Sequence, residues 1–305
     1  MPKPTIILNL LTTHLEYDFL EFFFTTDKIK IEEAIGLQLP EGMDKNKGIV
    51  INGRGPIWLY LILYRKIKES NAAKWIAQFD PQLGGAAKIE SNDPLDNTID
   101  KAAFKVYYPL PAKNITVAFI GPPQSGKTVF MYALFKQLLK QDPIYTNKNI
   151  FIVKACPDGE GIWASELPLN VVKELRYKNA FSPEFVEDVL VQIKNTKKSK
   201  SVIFVDCGGK ADEYNRQILA QCTHAIIVSA NNDETKRWQQ VYPETQILAI
   251  IDSYLSKNDP GKKNGIALQT DGMFYIDMID LDRDNKEVMI PDEFVQFFLK
   301  AAETT

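Results

Sequence analysis

Residues Gly121-Pro122-Pro123-Gln124-Ser125-Gly126-Lys127-Thr128 place two glycines, a lysine and a hydroxyl at the spacing G-x-x-x-x-G-K-[ST]. That spacing serves phosphate binding. Backbone N–H groups of the glycine loop, with the positive end of a following helix, surround a triphosphate. Lys127 is expected to reach the β and γ phosphates, and the Thr128 hydroxyl to bind Mg²⁺. An ordinary glycine turn would not need the Lys-Thr pair. No N-K-x-D string selects guanine, so ATP is the expected nucleotide.

Further candidates follow apolar runs. Val202-Ile203-Phe204-Val205 closes in Asp206, about 80 residues after the loop, where a carboxylate holds a Mg²⁺-bound water opposite Thr128. Cys207-Gly208-Gly209 comes next, without the glutamate that polarises water in AAA-type ATPases. Asp-x-Gly-Gly is nearer to phosphate-loop switches and kinases, in which a glycine N–H senses the γ-phosphate. After Ile150–Lys154, Asp158 takes the place of a kinase's hydroxyl-activating carboxylate, with Glu160 as alternative. A tight acidic turn explains both equally well. Lys236 or Arg237 would suit a lid cation and Trp238 a base-stacking ring, although a plain helix start near Asp233 is the simpler account.

These groups need a scaffold. Apolar strands are expected at Ile115–Ile120, Ile150–Lys154, Ser201–Val205, Ala225–Ser229 and Gln246–Ile250, separated mostly by helices. That alternation specifies a doubly wound parallel sheet, with ligands beyond the carboxyl ends of its strands. Ahead of it, strands are expected at Thr5–Leu10, Tyr17–Phe24, Gly48–Asn52, Lys74–Phe79, Ala86–Glu90 and Ala103–Tyr107. Helices are expected at Lys28–Ile35 and from Ile57 to about Lys68, giving a smaller α/β sandwich. Pro109 and Pro111 stiffen the connection, so the chain divides into residues 1–110 and 111–305.

Composition narrows the function. The 305 residues are 45% hydrophobic and 25% charged, with net charge −3, which offers no global basic field for long nucleic acid. No apolar run reaches the ~20 residues that span a bilayer, and no signal peptide is recognised, so cytoplasm is expected. Cys156, Cys207 and Cys222 lack metal-ligand spacing, and His14 and His224 belong to no triad.

Gly48-Ile49-Val50-Ile51-Asn52-Gly53-Arg54-Gly55-Pro56-Ile57-Trp58-Leu59, followed by Phe79-Asp80-Pro81-Gln82-Leu83-Gly84-Gly85-Ala86, resembles the signature of the CRISPR-associated Csx-three family. That family is the third class of type III CRISPR ring nucleases, and some members carry a C-terminal phosphate-loop domain labelled AAA. The resemblance covers roughly residues 1–107. It implies a Rossmann-like domain of the CRISPR sensor type, a homodimer or higher homo-oligomer, and binding of cyclic tetra-adenylate. It also implies Mn²⁺-assisted cleavage at a site shared between stacked dimers. Arg54, Gly53, Gly55 and Pro56 would contact ligand phosphates, and Asp80 would hold the acidic catalytic and Mn²⁺-binding position. Structural readings stand beside these: Gly53–Pro56 as a strand-to-helix turn, and Asp80-Pro81 as a turn initiator. The chain departs from the family at two points. Lys66–Lys74 contains no counterpart of the catalytic histidine, and Gln82 replaces a frequent arginine. Losing an imidazole removes a proton-transfer group worth about 10²–10⁴-fold. Lys66, Lys68 and Lys74 are the remaining cations of that stretch.

Three functions follow. The first couples binding, with or without degradation, of cyclic tetra-adenylate to ATP and Mg²⁺ binding. The second is a kinase acting on an RNA or nucleotide hydroxyl through Asp158. The third is a non-catalytic protein that sequesters the messenger.

Overall fold

The computed structural model describes residues 5–12, 14–26, 29–92, 104, 106, 114–157, 181–241, 243–258, 261–270, 272–282, 285 and 288–304. Asp158, Glu160, most of 101–110 and the proline connection at 107–113 lie outside them. The chain forms two compact units. The first comprises Met1–Pro111 together with Leu138–Ile150 and Lys198–Lys200, and the second comprises the remainder.

The first unit is built on five strands in sequential order: β1 (Ile6–Leu11), β2 (Tyr17–Phe24), β3 (Gly48–Gly53), β4 (Trp75–Asp80) and β5 (Gly85–Ser91). β2, β3 and β4 run parallel, while β1 and β5 are antiparallel edges. Among the described residues, Phe104 forms an isolated antiparallel bridge with Ala86. The aromatic run in β2 is explained by its place between β1 and β3, where both faces are covered. Leu20 and Phe22 join Ile49, Ile51 and Ile76 on one face, and Tyr17 and Phe19 join Val50, Ala77 and Phe79 on the other.

Helices α1 (Ile31–Ile35) and α2 (Ile57–Glu69) belong to the first face. Pro56, in extended conformation, starts α2, and Leu59, Leu63 and Ile67 recur at i, i+4, i+8 to form its buried stripe. Lys66 and Lys68 in its last turn favour the negative helix end. α4 (Pro143–Asn149), with Asp142 accepting from the Tyr145 N–H as its cap, meets β2 within this unit.

The second unit contains a seven-stranded sheet ordered β11-β12-β10-β9-β6-β8-β7. Its strands are β6 (Ile115–Ile120), β7 (Ile150–Ala155), β8 (Val202–Cys207), β9 (His224–Ser229), β10 (Gln246–Tyr254), β11 (Gly265–Leu268) and β12 (Phe274–Ile279). β12, β10, β9, β6 and β8 are successively parallel, and β11 is an antiparallel edge. Helices cover both faces. α5 (Pro183–Thr196), α6 (Glu213–Leu219) and α7 (Asn232–Val241) give Val186, Val189, Ile193, Ile218, Leu219 and Trp238 to one core. α3 (Lys127–Gln141) and α8 (Asp292–Thr304) give Phe130, Phe294 and Phe298 to the other, against Phe119 and Phe204. The mixed α/β fold with a doubly wound parallel sheet is therefore the architecture. β11, β12 and α8 extend it beyond the strands expected from sequence.

Gly48 is a steric requirement of the first sheet: a Cβ there would lie 2.1 Å from the Trp75 ring. Gly48→Ala should destabilise the chain by about 1–3 kcal/mol, the usual cost of overpacking. Chemical denaturation checks this, and an unchanged midpoint would contradict the packing described.

Candidate functional site

The phosphate loop leaves β6 at its carboxyl end and enters α3. Gly121 has φ +139°, and a Cβ there would stand 2.0 Å from the Val228 carbonyl oxygen. Gly126 has φ +89°, and its Cβ would come 2.7 Å from that of Leu281. Both positions need glycine for backbone conformation and for close approach. Gln124 also lies at positive φ, +58°. Lys127 is buried and curls back over the loop, donating from Nζ to the carbonyls of Gly121 (3.0 Å) and Pro122 (2.7 Å). The Ser125 hydroxyl is buried without a hydrogen-bond partner among the described residues.

Opposite the loop, Thr128 Oγ1 donates to Asp206, at 3.0 Å from Oδ2 and 3.2 Å from Oδ1. Burial pushes the Asp206 carboxyl up from the usual range, opposed by the Thr128 hydrogen bond and the charges of Lys127 and Lys154. A buried carboxylate beside a hydroxyl at a phosphate loop fits the oxygen-rich setting of Mg²⁺. Gly209 belongs to the same constellation, since its Cβ would lie 2.7 Å from the Pro123 nitrogen. Gly208 packs on Phe181. The Asp206–Gly209 segment thus borders the phosphate loop.

Other residues take structural places. Trp238 is 1% exposed in the core, so the ring is closed to a base. Its signal was legible, because Thr235 and Trp238 share the buried stripe of α7. Asn231 receives the Asp233 and Glu234 N–H groups at the helix start, while Arg237 pairs with Glu234 at 3.6 Å. Burial raises the Cys207 thiol well above its normal range and the Cys222 thiol to about 12, which keeps both protonated and inert. His14 accepts the Glu16 N–H and stacks on Tyr17, and His224 contacts the Thr223 hydroxyl.

In the first unit, packing accounts for the glycines of the Gly-Arg-Gly string. A Cβ on Gly53 would stand 2.7 Å from the Phe22 ring, and one on Gly55 2.8 Å from the rings of Phe22 and Phe24. Pro56 is the cap of α2. Asp80 ends β4, and its Oδ1 accepts from the N–H groups of Gln82 (2.8 Å) and Leu83 (3.4 Å), fastening the turn into β5. No group of three His, Cys, Asp or Glu side chains suited to a metal occurs among the described residues. One oxygen of Asp80 is thus engaged in the turn into β5.

Tyr60, in the first turn of α2, is the residue the motifs did not flag. Its hydroxyl donates to the Gly53 carbonyl, and burial first, then the charge of Asp80, pushes its pKa up to about 12. It therefore stays protonated, a donor rather than a base. Lys66 and Lys68 stand about two turns, or ~9–12 Å of helix rise, beyond Tyr60 along α2. Lys74 precedes β4 while Asp80 ends it, a separation of ~20 Å along an extended strand. Lys68 is engaged with Glu90 at 3.0 Å. Arg54 instead stands close enough to Lys200 to disfavour that lysine's charge.

The raised Asp206 pKa has a definite sign. The stability contribution of the protonated carboxyl is present below its unfolded pKa and is lost as pH rises through the folded value. Asp206→Asn should raise the melting temperature of nucleotide-free protein at neutral pH, flatten its acid-to-neutral dependence and weaken Mg²⁺-dependent nucleotide binding at least tenfold. Thermal melts at pH 5 and 7.5, with and without MgATP, check all three outcomes.

Residues 23–96 match the family model for CRISPR-associated protein Cas_csx3. An uncharacterized protein of Aquifex aeolicus (strain VF5) is 38% identical over 87 residues, covering 27% of this chain and 69% of the relative. Similar solved structures include a plasmid partition protein from Borrelia burgdorferi, 10% identical with TM-score 0.39, covering 62% of this chain and 99% of that one. A ParA family ATPase from Chlorobium tepidum TLS is 16% identical with TM-score 0.35, covering 63% and 93%. At such scores the C-terminal fold rests on this chain's own sheet order and phosphate loop. Through the segment 23–96, the chain belongs to the CRISPR-associated Cas_csx3 family.

Proposed function

We propose that this protein is a CRISPR-associated messenger receptor whose N-terminal unit binds cyclic tetra-adenylate and whose phosphate-loop unit binds ATP with Mg²⁺. The observation that carries the reading is one chain joining a Cas_csx3 segment to a phosphate loop with Thr128 and Asp206 3.0 Å apart. The setting proposed is the cytoplasm, and the assembly a homodimer or higher homo-oligomer.

In the phosphate-loop unit, Lys127 exchanges two loop carbonyls for β and γ phosphate oxygens, which are stronger, charge-assisted acceptors. Backbone N–H groups of Gln124 to Thr128 face the phosphates at the start of α3. Thr128 and Asp206 would hold the metal, and Mg²⁺ when bound would neutralise phosphate charge. Gly209, packed on Pro123, reports the γ-phosphate through its N–H, so hydrolysis would work as a switch rather than a power stroke.

In the N-terminal unit, Arg54 meets a phosphate while Tyr60 secures the Gly53 carbonyl ahead of it. Recognition without efficient cleavage is the favoured form. Tyr60 stays protonated, and the stretch Lys66–Lys74 offers no histidine as proton acceptor.

Isothermal titration with ATP-Mg²⁺ should give binding that Lys127→Ala abolishes; unchanged binding would overturn the nucleotide reading. Labelled cyclic tetra-adenylate with Mn²⁺ and stoichiometric protein should be retained and recovered as an intact ring. Absence of binding would sink the receptor reading, whereas rapid linear product would restore the nuclease.

A further inference from the structure

Among the described residues, the phosphate loop is braced by segments at the carboxyl ends of different strands. Gly121 meets the Val228 carbonyl of β9, and Pro123 meets Gly209 after β8. A further brace is Leu281, just past the end of β12. A Cβ added to Gly126 would stand 2.7 Å from the Leu281 Cβ and 2.9 Å from its carbonyl oxygen. Leu281 is buried, and Gly126 takes φ +89° immediately before Lys127. The place of Leu281 therefore limits how the Gly126–Lys127 peptide can turn. That peptide carries one of the N–H groups that face phosphate at the start of α3.

Leu281 lies beyond the sheet ladder, since β12 ends at Ile279. Its place is set by the residue before it. Asp280 has φ +51°, a left-handed conformation that aspartate and asparagine tolerate better than other side chains do. Every polar group of Asp280 is bonded. Its N–H donates to the Tyr254 carbonyl of β10 at 2.7 Å, and its carbonyl accepts from the Asp282 N–H (2.7 Å) and Asn285 Nδ2 (3.1 Å). Its carboxylate crosses to the chain leaving β10, where Oδ1 accepts the Ser256 N–H at 2.8 Å and Oδ2 the Ser256 Oγ–H at 2.7 Å. These two bonds hold the Asp280 carboxyl below the usual carboxylate range, so it is ionised at neutral pH and both bonds are charge-assisted.

β10 and β12 run parallel and in register as far as Tyr254 and Ile279. The Asp280–Ser256 pair ties the two chains together one step further on, where the ladder has stopped. A strand end needs no such fastening, because many turn residues let a chain leave a sheet. Leu281 does need it. It must stay in contact with a loop backbone whose N–H groups have to remain aimed at the phosphates.

We propose that Asp280 is a positioning residue of the nucleotide site, holding Leu281 against Gly126 so that the phosphate loop is preformed for a triphosphate. The inference rests on the nucleotide-binding reading and deepens it. Asp280 acts through Leu281, so its influence falls on the phosphate chain, whichever base the nucleotide carries.

The full-length protein and the variants Asp280→Gly, Asp280→Asn and Ser256→Ala are titrated calorimetrically with ATP, GTP and inorganic tripolyphosphate in Mg²⁺, and are melted without ligand. Asp280→Gly keeps the left-handed turn accessible while deleting both carboxylate bonds. It should weaken every ligand that wild type binds by the same factor, about tenfold, the equivalent of one hydrogen bond to a charged group. Ser256→Ala leaves the backbone donor in place and should weaken them by about threefold. Asp280→Asn keeps an acceptor for the Ser256 N–H and the same tolerance of positive φ, and should stay within about twofold of wild type. Unchanged affinities in Asp280→Gly, with or without a lower melting temperature, would make the latch merely structural and overturn the proposal. A loss for ATP larger than for tripolyphosphate would place Asp280 at the base and overturn it too, as would equal losses in Asp280→Asn and Asp280→Gly. Wild type that binds none of the three ligands would sink the nucleotide reading, and this inference with it.

Discussion

Thr128 and Asp206 come within hydrogen-bond distance because β6 and β8 run parallel in a register that sets Phe119 beside Asp206. Both strands are covered on two faces and filled with apolar side chains along their length. Polar chemistry can enter such a strand only at its carboxyl end, where the backbone leaves the core. The loop after β6 and the carboxylate ending β8 therefore meet beyond the same edge. Gly121 against Val228 and Gly209 against Pro123 close the remaining space with backbone, not side chains. The phosphate loop is shaped by what its neighbours permit as much as by its own sequence.

That dependence explains which parts were legible. The loop motif is eight contiguous residues whose conformation follows from glycine and the start of a helix, so it reads directly. Asp206 reads through the apolar run before it. β12 was less visible because buried Phe274, Ile276 and Met278 alternate with Tyr275 and Asp277, a half-covered pattern unlike the continuous runs of β6 and β8. Gly53 and Gly55 were visible as glycines but not for their reason, which lies in the rings of Phe22 and Phe24 about thirty residues earlier. The register pairing of Phe22 with Gly53 supplies it. Tyr60 had no motif to announce it and becomes significant only through the Gly53 carbonyl and the charge of Asp80.

The first unit follows a different logic at its polar positions. Glu21 lies within an aromatic strand, and its partners Asn9 and Asn52 occupy the same register on the flanking strands. A single carboxylate in an apolar sheet is costly unless its oxygens are satisfied, and these two amides with Lys148 satisfy them. Lys148 and Lys200 are 52 residues apart in sequence, so no local pattern joins them. Only the return of residues 138–150 and 198–200 to the first unit does so.

Chain continuity gives this arrangement a consequence. Lys148 stands two residues before β7 begins at Ile150, and Lys200 two residues before β8 begins at Val202, the strand that ends in Asp206 and Cys207. Both returning segments of the first unit therefore lead into strands of the second sheet. Linkage requires any coupling between the two ligands to be reciprocal: if messenger binding changed nucleotide affinity, nucleotide would change messenger affinity by the same factor.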